Sequence, residues 1–249
     1  MRTDVLGMLF DNFTMDEAIL HAEELMESDD ASYIVTPNPE IVWMHRTDPA
    51  LKAAVAGAEM VLADGIGVIY GAKILKTPLK GRVPGVDFAA ALLGKMAEKG
   101  KSVYLLGGKP GIAEKAAENL VLQFDGLKIA GTADGYFNDD DIVIEKINAA
   151  SPDVLFVCLG APKQEYWMAG NAGKLHVTLM AGLGGSIDVF AGTVKRAPEG
   201  WRKLGLEWLY RLICEPRRIK RMIKLPLFLF VVIGQRIRAD NRKNKTEPR

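Results

Sequence analysis

Asp64 is the residue whose type and position best fit acid–base chemistry. It follows the apolar run at 60–63 and precedes Gly65. An Asp at such a point commonly caps a turn or a helix. At the mouth of a crevice, the same carboxylate can act as a general base, because partial burial raises its pKa and lets it accept a proton from a hydroxyl group. The sequence leaves both roles open.

A second polar loop follows the apolar run at 33–36. It contains Thr36 and Asn38 and is stiffened by Pro37 and Pro39. We expect both polar side chains to project in fixed directions, beyond the carboxyl end of a strand, where open parallel sheets bind ligands. Asn38 before Pro39 is also the pattern of a helix cap followed by proline at the first helical position, and the two roles are compatible.

Two glycine pairs, Gly107-Gly108 and Gly184-Gly185, also follow apolar runs. Glycine lets a backbone approach a diphosphate closely, and the N-terminus of the next helix supplies unpaired N–H groups. A tight strand-to-helix turn requires the same residues, so both interpretations stay open. Arg82 stands beside another turn, where an arginine suits phosphate, although a surface arginine is the more common case.

The C-terminal part of the chain is strongly basic. Residues 201–249 contain 14 Lys and Arg against four acidic residues, a net +10 in a chain of formal net charge +1. Arg211, Arg218 and Arg221 can share one helical face if Pro216 does not bend the helix. Together with the apolar stretch 225–233, they favour a membrane surface or a lipid diphosphate over a solvated helix. Nucleic acid is not expected, because the nearby aromatic residues have the helical spacing of core residues.

Apolar runs alternate with helical patterns over roughly the first 190 residues, a repeat typical of an α/β fold. Strands are predicted at 33–36, 60–63, 102–106, 127–130, 154–159 and 177–181, and helices from Thr14 and over 86–99, 111–124 and 139–150. Runs that are apolar throughout indicate strands buried on both faces, so we predict a mostly parallel sheet flanked by helices. Only helices are predicted after Val194, over 207–221 and 222–238. The predicted domains are therefore a core, 1–194, and a basic helical appendage, 195–249.

Composition restricts the class of protein further. Hydrophobic residues make up 49% and charged residues 25%, as in ordinary globular enzymes. Cys158 and Cys214 are too few for a disulfide framework, and the three histidines lack the spacing of metal ligands, so no metal is expected. Cys158 lies in an apolar run and is predicted to be buried. Neither a signal sequence nor a run of roughly 20 apolar residues is recognisable, which predicts a cytoplasmic protein.

Eight short motifs occur in the chain in one order. They are Thr-Pro-Asn-Pro-Glu at 36–40, Ala-Asp-Gly-x-Gly at 63–67, Arg-Val-Pro-Gly-x-Asp at 82–87, Leu-Leu-Gly-Gly at 105–108, Leu-Gly-x-Pro-Lys-Gln-Glu-x-Trp at 159–167, Gly-x-Gly-Gly-x-Ile-Asp at 182–188, Ala-Gly-x-x-x-Arg-Ala-Pro at 191–198 and Leu-Glu-Trp-Leu-Tyr-Arg-Leu-x-x-Glu-Pro-x-Arg at 206–218. Taken together they resemble the motifs of the WecG/TagA/CpsF glycosyltransferases, over nearly the whole chain.

The resemblance implies a Rossmann-like α/β core with a C-terminal appendage. It also implies an inverting transfer without metal or cofactor from a UDP-sugar, typically UDP-N-acetylmannosamine or its uronic acid. The implied acceptor is N-acetylglucosamine on undecaprenyl diphosphate, a lipid-diphosphate-linked sugar. An enzyme that uses this acceptor would associate peripherally with the inner face of the cell membrane.

The resemblance also implies roles for individual residues. Asp64 would be the catalytic base, with Thr36 and Asn38 lining the catalytic pocket. Arg82 and Gln164 would bind or position substrate. The appendage residues Arg211, Arg218 and Arg221 would bind the lipid diphosphate, and Tyr136 would stack on the uracil ring.

Two other classes of protein are alternatives. A dinucleotide-dependent oxidoreductase can use the same core, but the glycines at 182–185 are not followed by the second strand and terminal acidic residue of a dinucleotide fingerprint. A non-catalytic membrane-associated adaptor would explain the basic appendage but gives no reason for polar loops after six strands. The sequence leaves open whether the chain forms a homo-oligomer.

Overall fold

The computed structural model describes residues 2–28, 31–214, 216, 219 and 223–246. The strands are β1 (Arg2–Val5), β2 (Met8–Asp11), β3 (Ser32–Val35), β4 (Met60–Val61), β5 (Ser102–Gly107), β6 (Lys128–Ala133), β7 (Val154–Cys158) and β8 (Leu179–Gly182). The helices are α1 (Met15–Met26), α2 (Pro39–His45), α3 (Pro49–Ala56), α4 (Ile66–Ile74), α5 (Gly85–Lys99), α6 (Ile112–Gln123), α7 (Asp140–Ala150), α8 (Lys163–Asn171), α9 (Ser186–Phe190), α10 (Glu199–Lys203), α11 (Glu207–Cys214) and α12 (Lys224–Thr246).

Six strands form one parallel sheet in the order β4–β3–β8–β7–β5–β6. Side chains of β7 alternate between its faces, so that Leu155 and Val157 belong to one hydrophobic cluster and Phe156 to the other. Burial on both faces requires apolar residues throughout a strand, which is the pattern that predicted these strands. The predicted Rossmann-like α/β sheet is confirmed, and each predicted run overlaps one of its strands.

The order of the strands creates a place for a ligand. From β5 the chain continues to β6 on one side, whereas from β7 it continues to β8 on the other side. Connections that leave in opposite directions open a crevice beyond the carboxyl ends of the two strands. The loops that follow β3, β4, β7 and β8 meet at this same edge of the sheet.

Local sequence signals determine where several helices begin and end. The hydroxyl of Thr14 accepts a hydrogen bond from the N–H of Glu17, whose carboxylate accepts one in return from the N–H of Thr14 at 2.8 Å. This is the capping box that the sequence predicts for α1. Gly100 ends α5 at a φ of +66°, a left-handed conformation that glycine adopts without steric cost.

A hairpin at the N-terminus was not predicted from the sequence. Its strands β1 and β2 pair antiparallel around the turn at Leu6 and Gly7. The carboxylate of Asp11 accepts a hydrogen bond from the Val61 N–H at 2.9 Å, which attaches the hairpin beside the edge strand β4. It accepts another from Arg2 Nε at 3.0 Å, within the hairpin. Strands of four residues are too short for their alternating pattern to be recognised in a sequence.

Helix α12 packs on the same face of the sheet as α2 and α4. Phe228 and Val232 are fully buried in the core cluster of that face, and each contributes about 1.5–3 kcal/mol to the free energy of unfolding. Two glycines of α4 permit the close approach. A Cβ atom at Gly67 would lie 2.5 Å from Leu225 Cδ1, and one at Gly71 would lie 2.9 Å from Phe228 Cζ. The predicted domain boundary at residue 194 stays a prediction.

The extents of the appendage helices differ from those predicted. Helix α11 begins at Glu207 as expected and is described as far as Cys214, and the predicted end of this helix at residue 221 lies outside the described residues. Helix α12 continues beyond the predicted residue 238. No helix within the described residues has the length and apolar character needed to cross a membrane.

Cys158 is buried as predicted, and burial raises the pKa of its thiol to about 12.

Candidate active site

A cavity of about 300 Å³ lies at the carboxyl ends of four neighbouring strands. The loops after β3, β4, β7 and β8 form much of its wall, and α11 contributes another side. Its lining brings together most of the residues that the sequence singled out, namely Asp64, Thr36, Asn38, Arg82, Gln164, Gly184, Gly185 and Arg211. Residues far apart in the chain therefore form a single site.

Asp64 lines this cavity next to the N-terminus of α5. Its backbone N–H donates to the carbonyl of Pro37 at 3.2 Å, and the N–H of Gly85 at that terminus lowers the pKa of its carboxyl group slightly. The side chain keeps partial contact with solvent through the cavity, but protein surrounds its carboxyl group. This burial raises the pKa of Asp64, against the opposing charge of Arg82. A carboxylate with a raised pKa accepts a proton more readily, as a general base must.

Thr36 and Asn38 are both held by hydrogen bonds to the backbone. The hydroxyl of Thr36 donates to the carbonyl of Gly182 at 2.8 Å, which joins the loop after β3 to β8. The carbonyl oxygen of Asn38 accepts from the N–H groups of Glu40 and Ile41 at 2.9 and 3.1 Å. Its predicted role as the cap of α2 is therefore confirmed. The amide nitrogen of Asn38 takes no part in the cap and is the group of this side chain that can reach a ligand.

Gln164 connects the loops after β7 and β8. Its side-chain carbonyl accepts a hydrogen bond from the N–H of Gly184 at 2.9 Å, and its amide donates to Glu165 Oε1 at 3.0 Å. Glu165 is fully buried, and its Oε2 has no hydrogen-bond partner within the described part of the chain. Burial raises the pKa of Glu165, which favours its neutral form.

Two arginines meet one buried carboxylate at the side of the cavity. Glu207 accepts a hydrogen bond from Arg82 at 2.8 Å on one oxygen and from Arg211 at 2.8 Å on the other. Burial alone would raise the pKa of Glu207, but the hydrogen bond from Arg82 and the charge of Arg211 hold it below its usual value. Glu207 is therefore ionised and binds the appendage to the core.

A second ion pair lies close to the first. Arg196 donates two hydrogen bonds to the carboxylate of Asp87, at 2.5 and 2.9 Å. These hydrogen bonds raise the pKa of Arg196, and its charge also interacts with those of Asp64 and Glu207. The pair links the first turn of α5 to the segment that leads into the appendage.

Gly107, Gly108 and Tyr136 are not among the residues that line this cavity. Gly107 has a φ of +136°, and a Cβ atom there would lie 2.3 Å from the carbonyl oxygen of Cys158, so close packing of β5 on β7 requires glycine. The carbonyl of Gly108 accepts a hydrogen bond from the Gly135 N–H at 2.9 Å, next to the exposed ring of Tyr136. The three residues flank the carboxyl ends of β5 and β6, and their predicted contacts with a nucleotide stay predictions.

Arg218 and Arg221 lie outside the described residues. Several charged residues at or beside the cavity were not singled out from the sequence, namely Glu40, Asp87, Asp188, Arg196 and Glu207. A signal was present for each, because each stands inside one of the eight motifs. Glu207 is also one of four acidic residues in the basic segment 201–249, where acidic residues are outnumbered by 14 Lys and Arg.

The site provides what a group-transfer enzyme requires. A base with a raised pKa can activate a nucleophile, and neighbouring arginines can stabilise an anionic leaving group. The profile of the Glycosyl transferase WecG/TagA/CpsF family matches residues 3–242. The chain belongs to this family, so the predicted enzyme class, a glycosyltransferase, is confirmed.

Two curated proteins are similar to the chain over nearly its whole length. One, from Bacillus spizizenii, is 36% identical over 235 residues, which cover 94% of this chain and 91% of the relative. Another, from Staphylococcus aureus, is 35% identical over 234 residues, which cover 93% and 92%. Both are named N-acetylglucosaminyldiphosphoundecaprenol N-acetyl-beta-D-mannosaminyltransferase.

Proposed function

We propose that this chain transfers N-acetylmannosamine from a UDP donor to N-acetylglucosamine carried on undecaprenyl diphosphate. Such a step belongs to the synthesis of teichoic acid or another surface polysaccharide. The names of the two relatives support the transferred sugar and the acceptor. The observation that carries the mechanism is the carboxyl group of Asp64, whose pKa is raised in a cavity that two arginines also line.

Asp64 acts as the general base in this proposal. The acceptor hydroxyl oxygen attacks the anomeric carbon of the donor, and the bond from that carbon to the UDP oxygen breaks with its electron pair leaving on UDP. The hydroxyl proton passes to Asp64. Attack from the face opposite UDP inverts the anomeric configuration. Thr36 and Asn38 stand on the neighbouring loop, where they orient the sugars.

The arginines and the backbone offset negative charge in this proposal. Arg82 and Arg211 are held at the cavity by Glu207, with guanidinium groups that suit phosphate oxygens. Backbone N–H groups at the two glycine pairs, 107–108 and 184–185, are suited to the donor diphosphate. Gln164 positions the second of these pairs through Gly184. Arg218 and Arg221 bind the acceptor diphosphate, and Tyr136 stacks on uracil.

The appendage binds the inner surface of the membrane, where a lipid-linked acceptor is found. Exposed apolar side chains recur on α12 at intervals of three and four residues and so share one face, namely Leu227, Phe230, Ile233 and Ile237. This face lies opposite the buried Phe228 and Val232. An exposed apolar stripe on a segment with a net charge of +10 suits an anionic bilayer surface.

The experiment is an assay of UDP release by the full chain. The donors are UDP-N-acetylmannosamine, its uronic acid and UDP-N-acetylglucosamine, each with and without a soluble lipid analogue of diphosphate-linked N-acetylglucosamine. We expect release that requires the acceptor and is fastest with UDP-N-acetylmannosamine. A preference for another donor would overturn the choice of sugar. The absence of acceptor-dependent release with all three donors would overturn the proposed activity.

A further inference from the structure

Glu207 occupies a central position between the core and the appendage. It is the first residue of α11 and lies 125 residues from Arg82 in sequence, yet their side chains are 2.8 Å apart. The side chain of Glu207 is 10% exposed. Each of its two oxygens accepts one hydrogen bond, one from Arg82 and the other from Arg211. A single carboxylate therefore fixes the directions of two guanidinium groups.

Both guanidinium groups keep donors that Glu207 does not use. Glu207 accepts from Nη2 of each arginine, which leaves other Nη donors. The Nε atoms are buried and have no acceptor within the described residues. An arginine offers five N–H donors in a planar fork, so each side chain can hold Glu207 and still bind another anion. Without Glu207, the two positive charges would repel each other and their side chains would lose this common anchor.

Glu207 itself is a poor candidate for the base. Its pKa is lowered by its arginine partners, whereas burial raises the pKa of Asp64 in the same cavity. Two carboxyl groups whose surroundings shift their pKa values in opposite directions have different roles. Asp64 is suited to take up a proton, and Glu207 is suited to remain charged.

We propose that Glu207 is a positioning residue of the transfer reaction, which holds Arg82 and Arg211 side by side at the cavity and fixes α11 over Asp64. The proposal rests on the proposed function of this cavity as the transfer site. Through the two arginines, Glu207 sets where the diphosphate of a substrate is bound. It also joins substrate binding to the docking of the appendage.

The charges around Asp64 predict a change in the pH dependence of activity that distinguishes a positioning role of Glu207 from a purely structural one. Arg82 and Arg211 lower the pKa of Asp64, as does the Gly85 N–H, whereas Glu207 raises it. Arg196 adds a further positive charge, which Asp87 offsets. If Glu207 becomes neutral, the charges of Arg82 and Arg211 are less offset. The pKa of Asp64 then falls, and the acidic limb of the profile of kcat/KM against pH moves to lower pH.

The test compares Glu207→Gln and Glu207→Asp in the full chain, with Glu199→Gln as the matched control. Glu199 is exposed, and its partner Lys203 is exposed as well. The assay measures UDP release at varied acceptor concentration and pH, together with thermal unfolding. We expect Glu207→Gln to lower kcat/KM by about 10²-fold, the loss typical of misplaced groups in a site, and to shift the acidic limb downwards. Glu207→Asp should recover part of the activity with the limb unshifted, and Glu199→Gln should match the wild type.

Other results would overturn the proposal. Wild-type kcat/KM in Glu207→Gln would do so, as would a loss without any shift of the acidic limb, which is the result of a merely structural role. If Glu207→Gln does not fold, Glu207→Asp decides, because its shorter side chain keeps the charge but moves the two guanidinium groups. A several-fold loss of kcat/KM that arises in KM, at an unchanged melting temperature, supports the proposal. Wild-type kinetics, or a loss that accompanies a lowered melting temperature, contradicts it. Failure of the proposed function is distinct, because the wild type itself would then release no UDP.

Discussion

The side-chain carbonyl of Gln164 accepts a hydrogen bond from the backbone N–H of Gly184 at 2.9 Å. Gln164 is the second residue of α8, and Gly184 follows β8 with a φ of +54°. One buried amide thus sets the position of a glycine loop at the cavity. In the proposed mechanism the N–H groups of this loop bind the donor diphosphate, and such groups bind phosphate only in a suitable direction. The proposal therefore gives Gln164 a role in binding through the loop that it holds.

Replacing Gln164 with Ala should therefore affect both stability and activity. The change leaves the Gly184 N–H and Glu165 Oε1 without their partner, which costs about 1–3 kcal/mol of the free energy of unfolding. We expect kcat/KM for the donor to fall by about 10²-fold as the loop shifts. Denaturant unfolding and UDP release measure the two effects. The control is Gln123→Ala at an exposed position of α6. If the Gln164 variant is as stable and as active as this control, the hydrogen bond from Gly184 to Gln164 does not set the position of the loop.

Asp64→Asn should change how stability depends on pH. The folded-state pKa of Asp64 is raised by burial, so the protonated form is favoured in the fold. The stability that the fold gains from protonated Asp64 is fully present below the pKa that Asp64 has in the unfolded state. It is lost as pH rises through the pKa that Asp64 has in the folded state. The Asn variant lacks this loss. It should gain stability relative to the wild type as pH rises through that window, and the gain should disappear in acid.

Thermal unfolding over a pH series measures this difference, with Asp125→Asn at an exposed site as the control. A constant stability difference between Asp64→Asn and the wild type across the series would mean that the fold does not shift the pKa of Asp64.

Glu165→Gln should leave kcat unchanged while it changes how the stability of the fold depends on pH. Glu165 is buried without a cation, and burial raises its pKa. As for Asp64, a pKa that is raised in the folded state means that the wild type loses stability as pH rises through that pKa. The neutral amide of Gln avoids that loss. The amide can still accept the hydrogen bond from Gln164. We expect the variant to be at least as stable as the wild type at neutral pH and to keep its kcat. A clear loss of stability at neutral pH, compared with Glu145→Gln on the exposed side of α7, would show that the charged carboxylate is needed.

The exposed face of α12 should determine binding to membranes. Phe230 is 71% exposed and Ile233 is 42% exposed, so their replacement by Ser removes no core contact of comparable size. We expect Phe230→Ser/Ile233→Ser to weaken binding to anionic vesicles by about tenfold or more, since each lost apolar side chain is worth about 1–2 kcal/mol. Vesicle sedimentation measures this. Leu122→Ser, at an exposed site of α6, is the control, and equal binding by both variants would exclude this face.

Much of the fold could be predicted because its signals are local. The apolar runs of β5 and β7 predict buried parallel strands, and the cap at Thr14 predicts the start of α1. The end of α12 at Thr246 could not be predicted, because residues 239–246 are mostly polar and have no apolar period. Two strands of four residues at the N-terminus are too short to give a period.

The site was predictable in its loops but not in its ion pairs. Asp64 and Asn38 follow strands, and parallel strands bring their carboxyl ends to one edge, so proximity follows from the fold. The contact between Arg82 and Glu207 depends on how α11 docks, which no local pattern specifies. The pKa shift of Asp64 depends in turn on these charges. One sequence thus indicates which residues are candidates, and the tertiary packing determines how they act on one another.

The most direct test of the central claim is acceptor-dependent UDP release by Asp64→Ala and Asp64→Asn beside the wild type. A lost general base should lower kcat by about 10²-fold or more. The remaining activity should lack the acidic limb that the wild type shows as pH falls through the raised pKa of Asp64. Donor KM should change little, because the base acts on the acceptor hydroxyl. Wild-type kcat in both folded variants, with the acidic limb retained, would contradict the assignment of Asp64 as the base.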